Sequence, residues 1–299
     1  MEQNLTALLS CYARAYHHRS RLRQVFDDES AEALLSRSER KAIPRHLTQG
    51  ASFFLPGFSG TDEEALRRIN DRFLAPPVLA RSAFCEDALN TAVKLGCGQY
   101  VLFGAGYDTF PFRCPHPGLQ AYLLDRPETL ADREARQERA GLAEVCRTAH
   151  IPCDLAGDSW PAALTEQGFD RRRPAFGSLL GLVYYLKKED FAGLLERIAA
   201  LWSPGSSLCF DYPAAVSGEE SRKTAQLANG AGTPMEAAYE YREMERLLAD
   251  HGFLIYEHLD EKEATKRFFA PYNCVTRNQP MSAPGGVHYC LVVRKNRKP

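Results

Sequence analysis

VLFGAGYDTFPFR, residues 101–113, begins as an apolar run, stops at Gly104-Ala105-Gly106, and passes into a turn or helix. A short apolar run bounded by glycine reads as a strand buried on both faces. Glycine takes up dihedrals that other residues resist and lets backbone come close to a ligand. In an open parallel sheet, ligands settle outside the carboxyl ends of the strands, at the point where strand order reverses. Gly104, Ala105 and Gly106 are therefore expected to line a cofactor crevice. Gly-x-Gly after a strand is common, and alone it names no ligand.

Outward from this stretch, short apolar runs alternate with longer amphipathic ones. Strands are expected at 100–104, 121–125, 148–153, 175–181 and 206–211, with helices at about 127–145, 158–168 and 188–202 between them. That rhythm predicts an α/β fold with a mostly parallel sheet covered on both faces. A helix over 239–251 and two last strands, 253–258 and 287–293, follow, joined by a long connection containing Pro and Asn. Upstream the pattern is helical: Leu5, Leu8, Leu9 and Tyr12 recur at helical spacing, and Thr61 with Glu64 makes a capping box for a helix over 62–73. Pro76-Pro77 is expected to break the chain before another helix, 78–95. The division expected is a helical N-terminal extension or lid, 1–80, and an α/β domain, 81–299, with a lid insert near 213–238.

The strand ends sharpen the ligand. Strand two ends in Asp125, where a carboxylate can accept both hydroxyls of a ribose. Strand three runs into Cys153-Asp154-Leu155, where Asp154 can accept from an adenine amino group and Leu155 can pack on its ring. Either Asp alone reads as well as a helix N-cap; the three strand ends together describe an adenosine pocket. A dinucleotide motif needs a third glycine where Thr109 stands, and Asp108 beside a pyrophosphate is unfavourable. S-adenosyl-L-methionine has no phosphate and carries a sulfonium and an ammonium, so the pocket favours that cofactor.

The same stretch resembles the V-x-LGAG-x-DTR-x-xR signature of the leucine carboxyl methyltransferase family, which includes bacterial polyketide O-methyltransferases. The resemblance continues in order through LARSAFCEDAL, YLLDRPETLADRE, CDLAGDSWPAALTEQGFD, LLGLVYYL, SPGSSLCFDY and GTPMEAAYEYREMERLLADHGF, covering about residues 78–260. It implies a Rossmann-like class I methyltransferase fold with a seven-stranded sheet. It also implies that Arg81 binds the methionine carboxylate of the cofactor through a bidentate pair, and that Gly181 is a cofactor-binding position. Two positions depart from the pattern: Phe110 stands for the family's Arg after Asp-Thr, and Leu180 for the Glu that opens its EGLLxYL and faces the cofactor. The departures keep open a non-catalytic binding protein of this fold.

Composition sets bounds on the rest. A chain of 299 residues is long for one average domain and short for two. Lys plus Arg total 37 against 38 Asp plus Glu, so no overall field draws in nucleic acid or anionic membrane. No apolar run approaches the roughly 18–20 residues that span a bilayer, and the N-terminus lacks a secretory pattern. Nine scattered cysteines without a CxxC read as reduced thiols of a cytoplasmic protein, with no metal site.

Methyl transfer from a sulfonium is an in-line displacement in which most of the catalysis is positioning. A carboxylate acceptor is already ionised, whereas a phenol with pKa about 10 benefits from a base. His17, His18, His116 and His251 occupy no motif position, which leans toward a carboxylate. Tyr185, Tyr212 and Arg242 are the candidate acceptor contacts, with no catalytic base assigned. The function expected is a small-molecule O-methyltransferase, as in secondary metabolism; a homodimer is left open. Alternatives are a protein C-terminal carboxyl methyltransferase, the non-catalytic binder, and an NAD-dependent reductase, the last disfavoured by Thr109 and the lack of a Tyr-x-x-x-Lys pair.

Overall fold

A computed structural model describes residues 5–20, 23–215, 237–276 and 279–296. Its strands are β1 (Gln99–Phe103), β2 (Gln120–Asp125), β3 (Arg147–Pro152), β4 (Phe176–Leu179), β5 (Ser207–Pro213), β6 (Phe253–Leu259) and β7 (Val287–Arg294). They form one sheet in the order β3-β2-β1-β4-β5-β7-β6. β1 to β5 are parallel, while β7 runs antiparallel to both β5 and β6. From β1 the chain builds outward through β2 and β3, then crosses to β4 and β5 on the other side. The reversal falls between β1 and β4, so the crevice opens at the ends of those two strands.

Both faces of the sheet are covered. Tyr100 and Leu102 pack with Phe84, Leu89 and Phe176 on one side, and Val101 and Phe103 pack with Trp160, Leu195 and Trp202 on the other. Alternation along a pleated strand that is buried on both sides explains why β1 is apolar from Tyr100 to Phe103. The second face is built by the helices Trp160–Glu166, Lys188–Leu201 and Tyr241–Asp250.

Four sequence expectations change. The helix expected over 127–145 ends at Ala140, because Gly141 turns left-handed at φ 63°. β4 stops at Leu179, two residues early, because Leu180-Gly181 turns away at the crevice. The connection between β6 and β7 is helical over much of its first half, through Glu261–Ala264, a π turn Thr265–Phe269 and Ala270–Asn273. Pro76-Pro77 does not break the chain. Both prolines lie in the first turn of a helix, Ala75–Lys94, that continues directly from Asp62–Ile69 through a π turn, Asn70–Leu74. Prolines lack an N–H and crowd the carbonyls one turn back. Widening that turn, with the Ala75 N–H bonded to the Asn70 carbonyl, relieves the crowding and keeps the helix.

The Thr61–Glu64 capping box is present as expected. The expected insert falls mainly on residues 216–236, which lie outside the described residues. Among the described residues no helix is long and apolar enough to cross a membrane, and no group of His, Cys, Asp and Glu could hold a metal ion.

Candidate functional site

β1 ends where the chain must turn over the sheet. Gly104 and Gly106 have φ of +72° and +48°, which only glycine adopts cheaply. The Gly104 and Ala105 N–H groups donate to the Leu124 carbonyl of β2. The Gly106 N–H donates to Asp125 Oδ2 at 2.7 Å, and Oδ1 takes the Arg126 N–H. The glycine loop and the acid at the end of β2 are thus joined directly. Burial holds the Asp125 carboxyl above its usual range in spite of those donors. A half-buried carboxylate in that state gains from further hydroxyl donors.

Asp125 pairs in register with Pro152, so the segment after β3 comes next along the crevice. Asp154 there is exposed, and its Oδ1 accepts the Ala156 N–H at 3.0 Å, which is a local turn. Leu155 is partly buried against the second face.

On the other side of the reversal, Gly181 has φ +65°, and its N–H donates to Asp211 Oδ1 of β5 at 2.6 Å. Asp211 Oδ2 accepts the Tyr184 hydroxyl at 2.9 Å and faces Arg81 Nη1 at 3.6 Å. Arg81 reaches this point from the Ala75–Lys94 helix. A Cβ placed on Gly181 would lie 2.3, 2.7 and 2.9 Å from three atoms of its guanidinium. Gly181 and Arg81, matched separately in sequence, are therefore in contact. Tyr185, in the short turn Val183–Tyr185, is half-buried beside Tyr184.

The N-terminal helix, Leu5–Ser20, lies across the glycine loop. Ala7, Ser10 and Arg14 share one face of it. A Cβ on Gly106 would meet the Ala7 methyl at 3.4 Å, Ser10 Oγ accepts from Arg81 Nη2 at 3.2 Å, and Arg14 Nη2 donates to the Tyr107 carbonyl at 2.7 Å. Behind them Asp28, fully buried, takes Arg14 Nε and the Thr109 hydroxyl, each at 2.7 Å, with Arg113 Nε at 3.5 Å. Burial alone pushes the Asp28 carboxyl up, but the two arginines and the hydroxyl hold it below its usual range. Arg113 also forks onto Glu86 at 2.8 and 2.6 Å. Thr109 and Arg113 of the signature are thus tied to the N-terminal segment. Phe110 is buried and meets the Tyr100 ring edge-on at 5.1 Å.

Tyr212 and Arg242 stand apart from this group. Tyr212 is fully buried on the second face, with its hydroxyl 3.1 Å from His258 Nε2 and 3.4 Å from His288 Nδ1. Burial and the neighbouring His288 lower the His258 pKa to about 4, and burial lowers that of His288. Arg242 is exposed in the first turn of the Tyr241–Asp250 helix.

Ser10, Asp28, Asp211, His258 and His288 were not singled out in the sequence. Asp211 carried a signal, since it stands in the SPGSSLCFDY stretch that follows the family pattern. The histidines carried none, because they meet only through the antiparallel pairing of β7.

The family model for leucine carboxyl methyltransferase matches residues 7–199. A protein of Bacillus subtilis (strain 168) named "Putative S-adenosyl-L-methionine-dependent methyltransferase YktD" is 33% identical over 306 residues, covering 98% of this chain and 99% of that one. Among solved structures, a DUF574 family protein from Streptomyces avermitilis superposes with a TM-score of 0.57 at 18% identity, over 83% of this chain and 97% of that one. A structure described as "a putative methyltransferase" from Thermobifida fusca YX gives 0.57 at 19%, over 89% and 93%. The two structures share the fold, and the sequence match goes further: the chain belongs to the leucine carboxyl methyltransferase family of S-adenosylmethionine-dependent methyltransferases.

Proposed function

We propose that the protein transfers the methyl group of S-adenosylmethionine to an oxygen of a small molecule, preferentially a carboxylate. The observation that carries this reading is the Gly106–Asp125 bond at the strand reversal, with Arg81 lying on Gly181 across the same crevice. The residues suit the cofactor. On this reading Asp125 takes the ribose hydroxyls, Asp154 and Leu155 the adenine, and Arg81 with Gly181 the methionine carboxylate. A side chain at position 181 would fill the space that Arg81 occupies.

When bound, S-adenosylmethionine would supply an electrophilic methyl group, with the neutral thioether as the leaving group. The chain's own part is to orient, exclude water and leave the acceptor oxygen reactive. Ala7 and Ser10 close the crevice from the N-terminal side. A carboxylate arrives ionised and releases no proton on becoming an ester. A phenol must lose one, and His258 and His288 are the imidazoles at this end of the sheet. Moving a proton from a phenol, pKa about 10, to an imidazole held near 4 is uphill by several kcal/mol. That mismatch favours the carboxylate over the phenol. The nine cysteines, none of them in a disulfide, support a cytoplasmic setting.

Calorimetric titration with S-adenosylmethionine and S-adenosylhomocysteine tests the reading. Wild type is expected to bind in the micromolar range. Asp125→Ala removes two charge-assisted hydrogen bonds to ribose and the anchor of Gly106, for a loss of about 100-fold or more. Folded wild type that binds neither nucleoside would overturn the proposal.

A further inference from the structure

Asp211 has no exposed surface, although it is a carboxylate at the end of a strand bordering the crevice. Its oxygens are used by three groups that all belong to the same corner: the Gly181 N–H at 2.6 Å, the Tyr184 hydroxyl at 2.9 Å and Arg81 Nη1 at 3.6 Å. Arg81 is in turn held from the opposite side by Ser10 Oγ at 3.2 Å, and its side chain keeps 15% exposure. A guanidinium has five N–H donors in a rigid fork. Here Nη1 faces Asp211, Nη2 donates to Ser10, and the guanidinium lies against Gly181, which leaves the exposed part free to meet a ligand.

We propose that Asp211 and Ser10 are positioning residues for the amino-acid end of the methyl donor, acting through Arg81 and Gly181. The inference rests on the donor reading above and extends it to two residues.

Charge supports the assignment. Asp211 and Arg81 cancel, and the carboxylate and ammonium of the donor's amino-acid end cancel as well, so this corner of the site closes without burying net charge. Without Asp211, Arg81 is an uncompensated cation free to swing toward water. Without Ser10, the guanidinium loses the contact that fixes its rotation about the Asp211 side. Tyr184 completes the Asp211 shell and keeps the carboxylate from turning.

The test compares two ligands that share adenosine and a thioether. S-adenosylhomocysteine has the amino-acid end; 5′-deoxy-5′-methylthioadenosine lacks it. Asp211→Asn keeps the shape and can still accept the Gly181 N–H, while Ser10→Ala and Tyr184→Phe make smaller changes that leave the carboxylate in place. Asp211→Asn is expected to weaken S-adenosylhomocysteine about 30-fold, and Ser10→Ala about 5-fold, with methylthioadenosine unchanged within about 2-fold. A structural role would weaken both ligands together. If both ligands weaken in parallel, or if neither weakens, the proposal is overturned. Should Asp211→Asn lose its cooperative thermal transition, Ser10→Ala and Tyr184→Phe carry the same comparison. Wild type that binds neither ligand is a different failure: it sinks the donor reading, and this inference with it.

Discussion

Gly181→Ala separates a cost in stability from a cost in binding. The residue sits at φ +65°, where an L-side chain costs about 1–2 kcal/mol. The added methyl would lie 2.3 Å from Arg81 Nη1, against 3.4–4 Å for ordinary contact, so the guanidinium must retreat by about 1 Å. Arg81 ends a flexible side chain, and its retreat adds little to the folding cost. A fork displaced by that distance loses its bidentate geometry toward a carboxylate, worth about 2–3 kcal/mol or roughly 30- to 150-fold in affinity. Thermal unfolding and calorimetric titration with S-adenosylhomocysteine read the two effects. Gly141→Ala is the control, since it has nearly the same backbone, φ +63°, with nothing within 4 Å of its added Cβ. Both variants are expected to lose about 2–3 °C in Tm, and only Gly181→Ala should lose donor affinity. Equal binding by the two variants would refute the placement of Arg81 on the donor.

Asp28→Asn leaves Arg14 buried without its counter-charge, at a cost of about 3–5 kcal/mol; urea unfolding measures it, and a loss below about 1 kcal/mol would show the cluster to be well solvated. Because the Asp28 carboxyl is held low, its contribution is present at neutral pH and is lost as pH falls through its folded value. His258 acts in the same direction over a higher pH window. The unfolded imidazole takes up a proton near pH 6.5 and the folded one only near 4, so stability falls as pH drops through that window. His258→Gln should flatten the dependence of Tm on pH between these values, and an unchanged slope would contradict the burial of the imidazole.

The seven strands were legible because each is a short apolar run between turn residues, and their ends came out within about two residues. The pocket's left side, from Gly104 to Asp125, was legible for a related reason. Successive parallel strands place their ends side by side, so spacing along the chain becomes proximity in space. The right side was legible only in part: the resemblance supplied Arg81 and Gly181, whereas Asp211 and Ser10 join them only through the tertiary packing of separate elements. No residue announces that β7 pairs on both sides, and the meeting of Tyr212, His258 and His288 depends on that pairing. Pro76-Pro77 misled because proline is read as a breaker from local rules, whereas a single wide turn absorbs two of them.

The position of β7 also governs the order in which the molecule can be completed. It is the last strand in sequence, yet it lies between β5 and β6. A ribosome delivers β5 and β6 first, and neither can satisfy its inner backbone groups until β7 emerges and slides between them. Until then the nascent chain presents two unpaired edges facing a gap one strand wide, the kind of surface that recruits strands from other chains. Closing that gap brings together segments far apart in sequence, a slow step in folding. A stop codon ahead of Val287 should therefore yield an aggregate rather than a shortened enzyme, and chaperone demand should fall once β7 has been made.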